Sequence, residues 1–568
     1  MNSEVRVPEN PADTAQTKTH AQTDGNAIGE REEFGNQIRE KVVVSGWALL
    51  GTLAVGLFFI YCSYVPLYHT DLWGHVGYGK WMLEHGELPI EDPFVSLAGG
   101  VEVIDNAWLS QLAFGWVVQN VGVAGLSDLY AVSCLALFLA LMAAFSWRAK
   151  NWGVGFFCAV GAWGMIAFRL AIMRPELLGG LCFALLLAQV ALSDRRRANT
   201  DESKSGTPLW AWFTIPLTFT LWTNLHGSYI VGFALVGSAV LGSAVEALVR
   251  TKSILGTWRD QRFRADLIIL QLSLLAACLN PYGIDLLLQT VLFPSHPNLK
   301  SVMEWFPLEF MSLEGIPMAI SWVVAAFAIR HSRVKFSVRD VFLLLLLSLA
   351  VCMRVRMIAW YSPIYFFVMA PHFADSLRQL GEVNFIERLT SSLAFLSRPS
   401  FHVALVTGLI CYLAFAFSPV SRHVMGGNPP PEEKLYSYQT PIKLSKYFQE
   451  HPPGGLIYAP QWWGDWLIWQ SDEELEVFVS TNTIHLVPES VWQHYLTMSR
   501  GRVGFDRLLN RYRINTIVVS KDLQPGLEKM MKEKLGWKSV YEDEISVVFE
   551  RETVPKSGSQ TDSAVSVH

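Results

Sequence analysis

The chain has 568 residues, of which 51% are hydrophobic and only 17% charged, with 21 Trp, 33 Phe and a mean hydropathy of +0.27. Soluble domains seldom carry so much apolar surface with so little charge, which argues against a wholly soluble protein. The net charge of −5 gives no global basic surface, so nucleic acid is not an expected partner.

In chain order, residues 1–41 read as a disordered cytoplasmic N-terminus, polar and poor in aromatics. The first apolar run, 42–64, starts too late and is too long for a cleavable signal peptide, and reads as a retained span. Ten more apolar runs follow at 127–145, 153–171, 177–192, 209–222, 229–248, 267–279, 316–329, 341–353, 359–370 and 402–417. Crossing a bilayer takes roughly 20 apolar residues, so the shorter runs must extend at their ends. The predicted fold class is mainly α: a polytopic α-helical membrane protein of about 11 transmembrane helices over 42–418, with a first outer loop at 65–125. All seven cysteines lie in apolar segments and read as small hydrophobes, not as a disulfide framework or a zinc site.

Short-loop Lys and Arg set orientation. With the N-terminus inside, the inner loops hold eighteen of them and the outer loops five, or six with Arg169. This predicts a multi-pass protein of the cytoplasmic (inner) membrane whose segment after 418 is extracytoplasmic. It also puts Asp71, His75, Arg174-Pro175-Glu176, Asn224-Leu225-His226-Gly227, Asn280-Pro281-Tyr282-Gly283, Glu304-Trp305 and Arg354-Val355-Arg356 at one membrane face. Convergent polar groups on one face are what an outward site requires.

Within the first outer loop, 72–84 reads as a surface helix with Leu72, Trp73, Val76, Trp81 and Leu83 on its apolar side. If it is helical, Asp71 and His75 share a face. Gly86-Glu87-Leu88-Pro89 then breaks it, Glu91-Asp92-Pro93 adds two carboxylates, and 106–121 reads as an interfacial helix. Asp71 is equally suited to cap the helix that follows. His75 reads as an acid/base group, a metal ligand or a packed ring. Arginine forks bind phosphate oxygens, which suits Arg174, Arg354 and Arg356; snorkelling, or pairing of Arg174 with Glu176, is the alternative. His226 and Asn224 read as site groups or as polar helix ends, and Glu304-Trp305 as a sugar contact or an anchor.

The runs Asp71-Leu72-Trp73-x-His75, Gly86-x-x-Pro89-x-x-Asp92-Pro93-Phe94 and Trp108-Leu109-x-Gln111 resemble the first extracytoplasmic loop of polytopic GT-C-type glycosyltransferases. That superfamily includes protein O-mannosyltransferases and aminoarabinose transferases. Arg174-Pro175-Glu176-Leu177, Trp222-Thr223-Asn224-Leu225-His226-Gly227, Asn280-Pro281-Tyr282-Gly283 and Glu304-Trp305 extend the resemblance. It implies transfer of a sugar from a polyprenyl-phosphate donor to a glycan, lipid or protein acceptor at the outer face. Asp71 would be the catalytic carboxylate; His75, Arg174, Glu176, Asn224, His226, Glu304, Trp305, Arg354 and Arg356 would bind substrate. Members usually carry an Asp-Glu pair or two acidic residues in this loop, whereas Asp71 is followed by Leu72. A divalent metal is possible by resemblance, and nothing in the spacing requires one.

After a linker at 419–435, marked by Asn428-Pro429-Pro430-Pro431, residues 436–552 read as an α/β domain, and 553–568 as a disordered tail. Helices are expected at 440–449, 491–499, 505–512 and 527–535, strands at 456–459, 477–480 and 516–520, and a closing hairpin at 538–541 and 546–550. Gln461-Trp462-Trp463-Gly464-Asp465-Trp466 suits carbohydrate or packing against the membrane domain. The rival functions are a lipid-linked substrate transporter or flippase, which would place ionisable groups mid-span, and a non-catalytic assembly protein.

Overall fold

A computed structural model describes residues 42–199, 207–381, 394–470 and 475–552; the ends at 1–41 and 553–568, expected to be disordered, lie outside these. All eleven apolar runs are helical. The chain opens with α1 (Gly46–Ser63), α2 (Leu72–His85), α3 (Trp108–Val121), α4 (Ala124–Ala149), α5 (Trp152–Leu170) and α6 (Pro175–Asn199). It continues with α7 (Ala211–Leu225), α8 (Tyr229–Thr251), α9 (Gln261–Ala277), α10 (Ile284–Leu292), α11 (Gly315–His331), α12 (Val338–Met353), α13 (Ile358–Gly381) and α14 (Phe401–Ala416).

Among the described residues, α1, α4, α5, α6 and α8 are long and apolar enough to cross a bilayer. Helix α14, bent by 84° into Pro419–Met425, makes a sixth if the pair is one span. Of the eleven expected spans, length and composition thus support five or six among the described residues. Helices α7, α9, α11 and α12 have 15 to 17 residues, and at 1.5 Å per residue they reach only about 22–26 Å against a core of about 30 Å. Helix α13 is long but carries Pro363 and Pro371, with His372, Asp375 and Arg378 in its second half. The build is that of a multi-pass membrane protein.

Two compact units divide the chain. One comprises 1–61 and 379–425; the other comprises 62–378 and 426–568. In the first, Val44 and Ser400 form an antiparallel bridge. A Cβ on Gly56 would lie 3.1 Å from that of Ala414, so α1 and α14 meet through small residues.

In the second unit α4 packs against both α5 and α6. At the far ends of α4 and α6, Arg148 pairs with Asp340 of α12 at 2.7 Å, and Arg339 with Asp194 at 2.8 Å. These charges are matched at the helix ends, with Arg339 and Asp340 buried and Arg148 and Asp194 partly so, and they tie the bundle there. Past 426 the chain adds α15 (Ile442–Glu450), β1 (Ile457–Tyr458), α16 (Gln461–Gln470), α17 (Glu489–Ser499), α18 (Phe505–Arg511), β2 (Thr516–Ser520), α19 (Pro525–Lys532), β3 (Trp537–Glu542) and β4 (Ser546–Arg551). The sheet order is β1-β2-β4-β3, parallel between β1 and β2 and antiparallel elsewhere. All five β2 residues are buried, as the apolar run Ile517-Val518-Val519 requires. The strand expected at 477–480 is reduced to a bridge from Val477 to Ile457, and 461–470 is helical.

This region docks on α2. Trp73 is fully buried and stacks on Trp469 at 4.5 Å, with Trp466 edge-on at 4.9 Å and Tyr436 at 5.5 Å. Aromatic pairs of this kind add about 0.5–1.5 kcal/mol each beyond burial. Trp73 is therefore a core residue, not the membrane-surface anchor expected for 72–84. Its helix is packed by protein because glycines thin it. A Cβ on Gly77 would lie 3.0 Å from Ile468 of α16, and one on Gly79 only 2.0 Å from the Gln111 carbonyl of α3.

Candidate functional site

Helix α2 begins at the loop end that carries Asp71. The Asp71 backbone is already helical (φ −60°, ψ −10°), and its side chain makes no capping hydrogen bond. The carboxylate turns instead to its neighbours. Its Oδ1 is 2.7 Å from Arg174 Nε, and its Oδ2 is 3.9 Å from His75 Nε2, one helical turn on. Gln111 of α3 donates its side-chain amide to His75 Nδ1 at 3.1 Å. That contact leaves the ring proton on Nε2, facing Asp71. Burial pulls the His75 pKa down to about 4; Asp71 opposes this and Arg174 adds to it.

Arg174 lies just before α6 and bridges two acids, with its Nη1 donating to Glu304 Oε1 at 2.9 Å. Burial works against its charge, but Asp71 and Glu304 outweigh that and hold its pKa above the ordinary arginine value. Burial likewise disfavours the Glu304 carboxylate, yet Arg174, Arg356 and Arg169 together keep it well below the usual range. Arg356 Nη1 is 3.9 Å from Glu304 Oε2, and its guanidinium covers the Trp305 ring at 4.5 Å. Arg169, in the last turn of α5, is 3.5 Å from Glu304 and 3.7 Å from Glu176. Glu176 therefore pairs with Arg169, not with Arg174 as the sequence suggested.

All of these groups except Arg169 line one cavity of about 1010 Å³. Of the expected site residues, Asp71, His75, Arg174, Glu176, His226, Glu304, Trp305 and Arg356 face it. His226 Nδ1 accepts from the Ser228 N–H at 3.2 Å, and burial lowers its pKa to about 4. A Cβ on the next residue, Gly227, would lie 2.9 Å from Asn106.

Two expected residues stand outside the lining. Asn224 accepts from Trp108 Nε1 and donates to the Thr220 and Leu279 carbonyls, so it knits α3, α7 and the end of α9 together. Arg354 donates to the Trp305 carbonyl at 3.1 Å, which fixes the turn that carries Glu304.

Sequence reasoning missed several contributors. Arg169 had entered only as a topology charge, although a lone Arg inside an apolar helix was itself a signal. Asp105, in the cavity wall, accepts from the Ala107 N–H at 2.7 Å, and burial pushes its pKa up to about 6. His69, Thr481 and Asn482 also face the cavity, as does Trp462 from the aromatic run. Beside them the Asp465 carboxyl accepts from the Thr481 N–H, and burial lifts its pKa well above the ordinary range. A side chain on Gly74 would strike Asp465 and Asn482 at 2.6 Å. Nothing in the order of residues announced the 481–482 contribution.

Among the described residues no three His, Cys, Asp or Glu side chains group as a metal site. The acids that do converge are engaged by guanidinium groups. Asp71 and Glu304 are bridged by Arg174. The donor set does not fit a resident metal.

The chain has a GT-C-type fold, similar to that of an archaeal oligosaccharyltransferase. The oligosaccharyltransferase of Archaeoglobus fulgidus, solved without ligand, superposes with a TM-score of 0.50 at 11% identity, over 84% of this chain and 70% of that one. The same enzyme tethered to an acceptor peptide containing an NVT sequon gives 0.50 at 12% identity, over 89% and 74%. ArnT from Cupriavidus metallidurans bound to undecaprenyl phosphate gives 0.49 at 14% identity, over 89% and 98%. No family model and no curated protein matches the sequence.

Proposed function

We propose that this protein is an integral membrane glycosyltransferase that moves a sugar from a polyprenyl-phosphate donor to an acceptor at the outer face of the cytoplasmic membrane. In this reading the N-terminus is cytoplasmic and residues 436–552 are extracytoplasmic, as the Lys and Arg asymmetry of the short loops supports. The observation that carries the proposal is the cavity wall in which a carboxylate, Asp71, stands against a cluster of arginines tied to Glu304. The GT-C-type fold supports it independently of the charges.

The chemistry follows from those groups. An acceptor hydroxyl attacks the anomeric carbon and its proton passes to the Asp71 carboxylate. The bond from that carbon to the phosphate oxygen breaks, and the electron pair leaves with the phosphate. Charge builds on the departing phosphate, where Arg174 and Arg356 stabilise it; preorganised cations of this kind act most strongly where water is excluded. His75 and His226 are neutral at neutral pH and serve as hydrogen-bonding groups.

The ionisable groups gather at helix ends and not at mid-span, which disfavours the transporter reading. Purified protein in proteoliposomes, given a panel of polyprenyl-phosphate sugars, tests the proposal by release of polyprenyl phosphate. Wild type should turn over at least one donor, and Asp71→Asn should lower the rate about 10²–10⁴-fold, as for loss of a general base. Unchanged turnover in Asp71→Asn removes Asp71 from the chemistry. Binding without turnover across the whole panel would replace the enzyme with a binding protein.

A further inference from the structure

The cavity wall holds the carboxylates of Asp71, Asp105, Glu176 and Glu304. Asp71, Glu176 and Glu304 each face an arginine, whereas among the described residues Asp105 pairs with no cation. N–H donors hold it instead. Its Oδ1 accepts from the Ala107 N–H at 2.7 Å, in the turn that leads into α3. The Gln111 side chain, one turn into that helix, also donates to its carboxylate. Gln111 is buried, and its Nε2 is the atom that meets His75 Nδ1 at 3.1 Å. Its Oε1 is buried with no hydrogen-bond partner.

These contacts fix one another in turn. An ionised carboxylate only accepts hydrogen bonds, so Gln111 must present its NH2 to Asp105 and not its oxygen. The second proton of that NH2 is the one that meets His75. The His75 Nδ1 is then the bare nitrogen, and the ring proton sits on Nε2, 3.9 Å from Asp71 Oδ2. Turning the amide over would give Oε1 a partner in an Nδ1–H, but would set the same oxygen against the Asp105 carboxylate. The backbones are fixed too. A Cβ on Gly115 of α3 would lie 2.6 Å from the Gly79 carbonyl carbon of α2, so the two helices touch backbone to backbone beside these side chains.

We propose that Asp105 and Gln111 are positioning residues: through the Gln111 amide, Asp105 holds the His75 ring in its Nε2–H form, turned towards Asp71. Arg174 occupies Asp71 Oδ1, which leaves Oδ2 to receive the acceptor proton. An N–H beside Oδ2 keeps that oxygen oriented, whereas a bare Nε2 there would repel it. The effect on rate rests on the glycosyltransferase reading; the control of the ring does not.

Protein labelled with 15N-histidine, in lipid nanodiscs at pH 8, tests the control of the ring; Asp105, with its pKa of about 6, is ionised there. The His75 ring resonances are assigned by their loss in His75→Gln. Wild type should show a bare Nδ1 and a protonated Nε2. In Asp105→Asn the remaining oxygen stays on the Ala107 N–H and the new NH2 faces Gln111, so the Gln111 amide should turn over and the ring should switch to Nδ1–H. An Nδ1–H ring in wild type, or an unchanged ring in Asp105→Asn, overturns the proposal. Turnover of a polyprenyl-phosphate sugar tests the consequence. Asp105→Asn should lower kcat roughly 10-fold, within the range that misplacing a reacting group causes. Its KM should stay within about twofold, because the loss falls on the transition state. A purely structural part for Asp105 would instead lower Tm and leave kcat alone. With Gln111→Met in place, adding Asp105→Asn should change kcat by no more than about twofold, since the connection is already cut; independent losses overturn the positioning role. If wild type turns over no donor, the effect on rate falls with the enzymatic reading, while the ring resonances still decide the control by Asp105.

Discussion

Arg174 joins two acids from distant parts of the chain: Nε stands 2.7 Å from Asp71 Oδ1, and Nη1 2.9 Å from Glu304 Oε1. Among the described residues neither acid has another cation as close. Replacing Arg174 by Ala leaves both carboxylates half-buried without their main partner. Breaking a fully buried pair costs about 3–5 kcal/mol; these side chains keep some water, so a loss of about 2–3 kcal/mol is expected. Arg174→Lys keeps the charge but lacks the planar fork that reaches both acids, and should recover no more than half. Thermal unfolding in detergent measures both, and turnover should fall in the same order.

His75 gives a pH signature. Burial lowers its folded pKa to about 4 from an ordinary 6.5. The unfolded chain therefore takes up the proton first as pH falls. Stability is full above about pH 6.5 and declines through pH 4. His75→Gln removes this titration, so its Tm difference between pH 7 and pH 5 should be smaller than that of wild type. The rate profile of wild type should show no His75 inflection near pH 6.5.

Asp105 has the opposite sign. Burial raises its folded pKa to about 6 from 3.8. The folded state holds the proton more tightly than the unfolded chain, so this contribution is full below pH 3.8 and is lost as pH rises through 6. Asp105→Asn keeps an acceptor for the Ala107 N–H without the charge. It should match wild type at pH 4 and exceed it in Tm at pH 8; equal values at both would remove Asp105 as a titrating group.

How far this was legible in the sequence depends on what each residue's role rests on. The helices were, because length and hydropathy decide them locally. Asp71 and His75 on one face followed from helical period alone, and the clustering of Arg174, His226, Glu304 and Arg356 from loop sidedness. Asn224 and Arg354 have the same residue types at equivalent helix ends, yet they bond backbone carbonyls instead of facing the cavity. Nothing local separates the two cases. Trp73 looked like a bilayer anchor because its neighbours are apolar; only the glycines at 74, 77 and 79 hinted that protein would close over the helix. Thr481 and Asn482 reach the cavity through that docking, a long-range result that no motif records.

The loop that carries Glu304 is held from the C-terminal region, and this gives the last test. Asn298 is completely buried and donates its amide to the carbonyls of Ile484 at 2.7 Å and Val487 at 3.0 Å. Three residues on, Ser301 accepts from Trp492 Nε1 at 2.7 Å. Glu304 follows within one short turn, so slack at Asn298 is passed to the carboxylate that holds Arg174. Asn298→Ala leaves two buried carbonyls without a donor and should destabilise by about 1–3 kcal/mol. If the effect on turnover runs through Glu304, the Asn298→Ala and Glu304→Gln losses should not add. A double-mutant cycle on kcat should then show a coupling of about 0.5–3 kcal/mol. Additive losses would mean that Asn298 supports the loop without positioning Glu304.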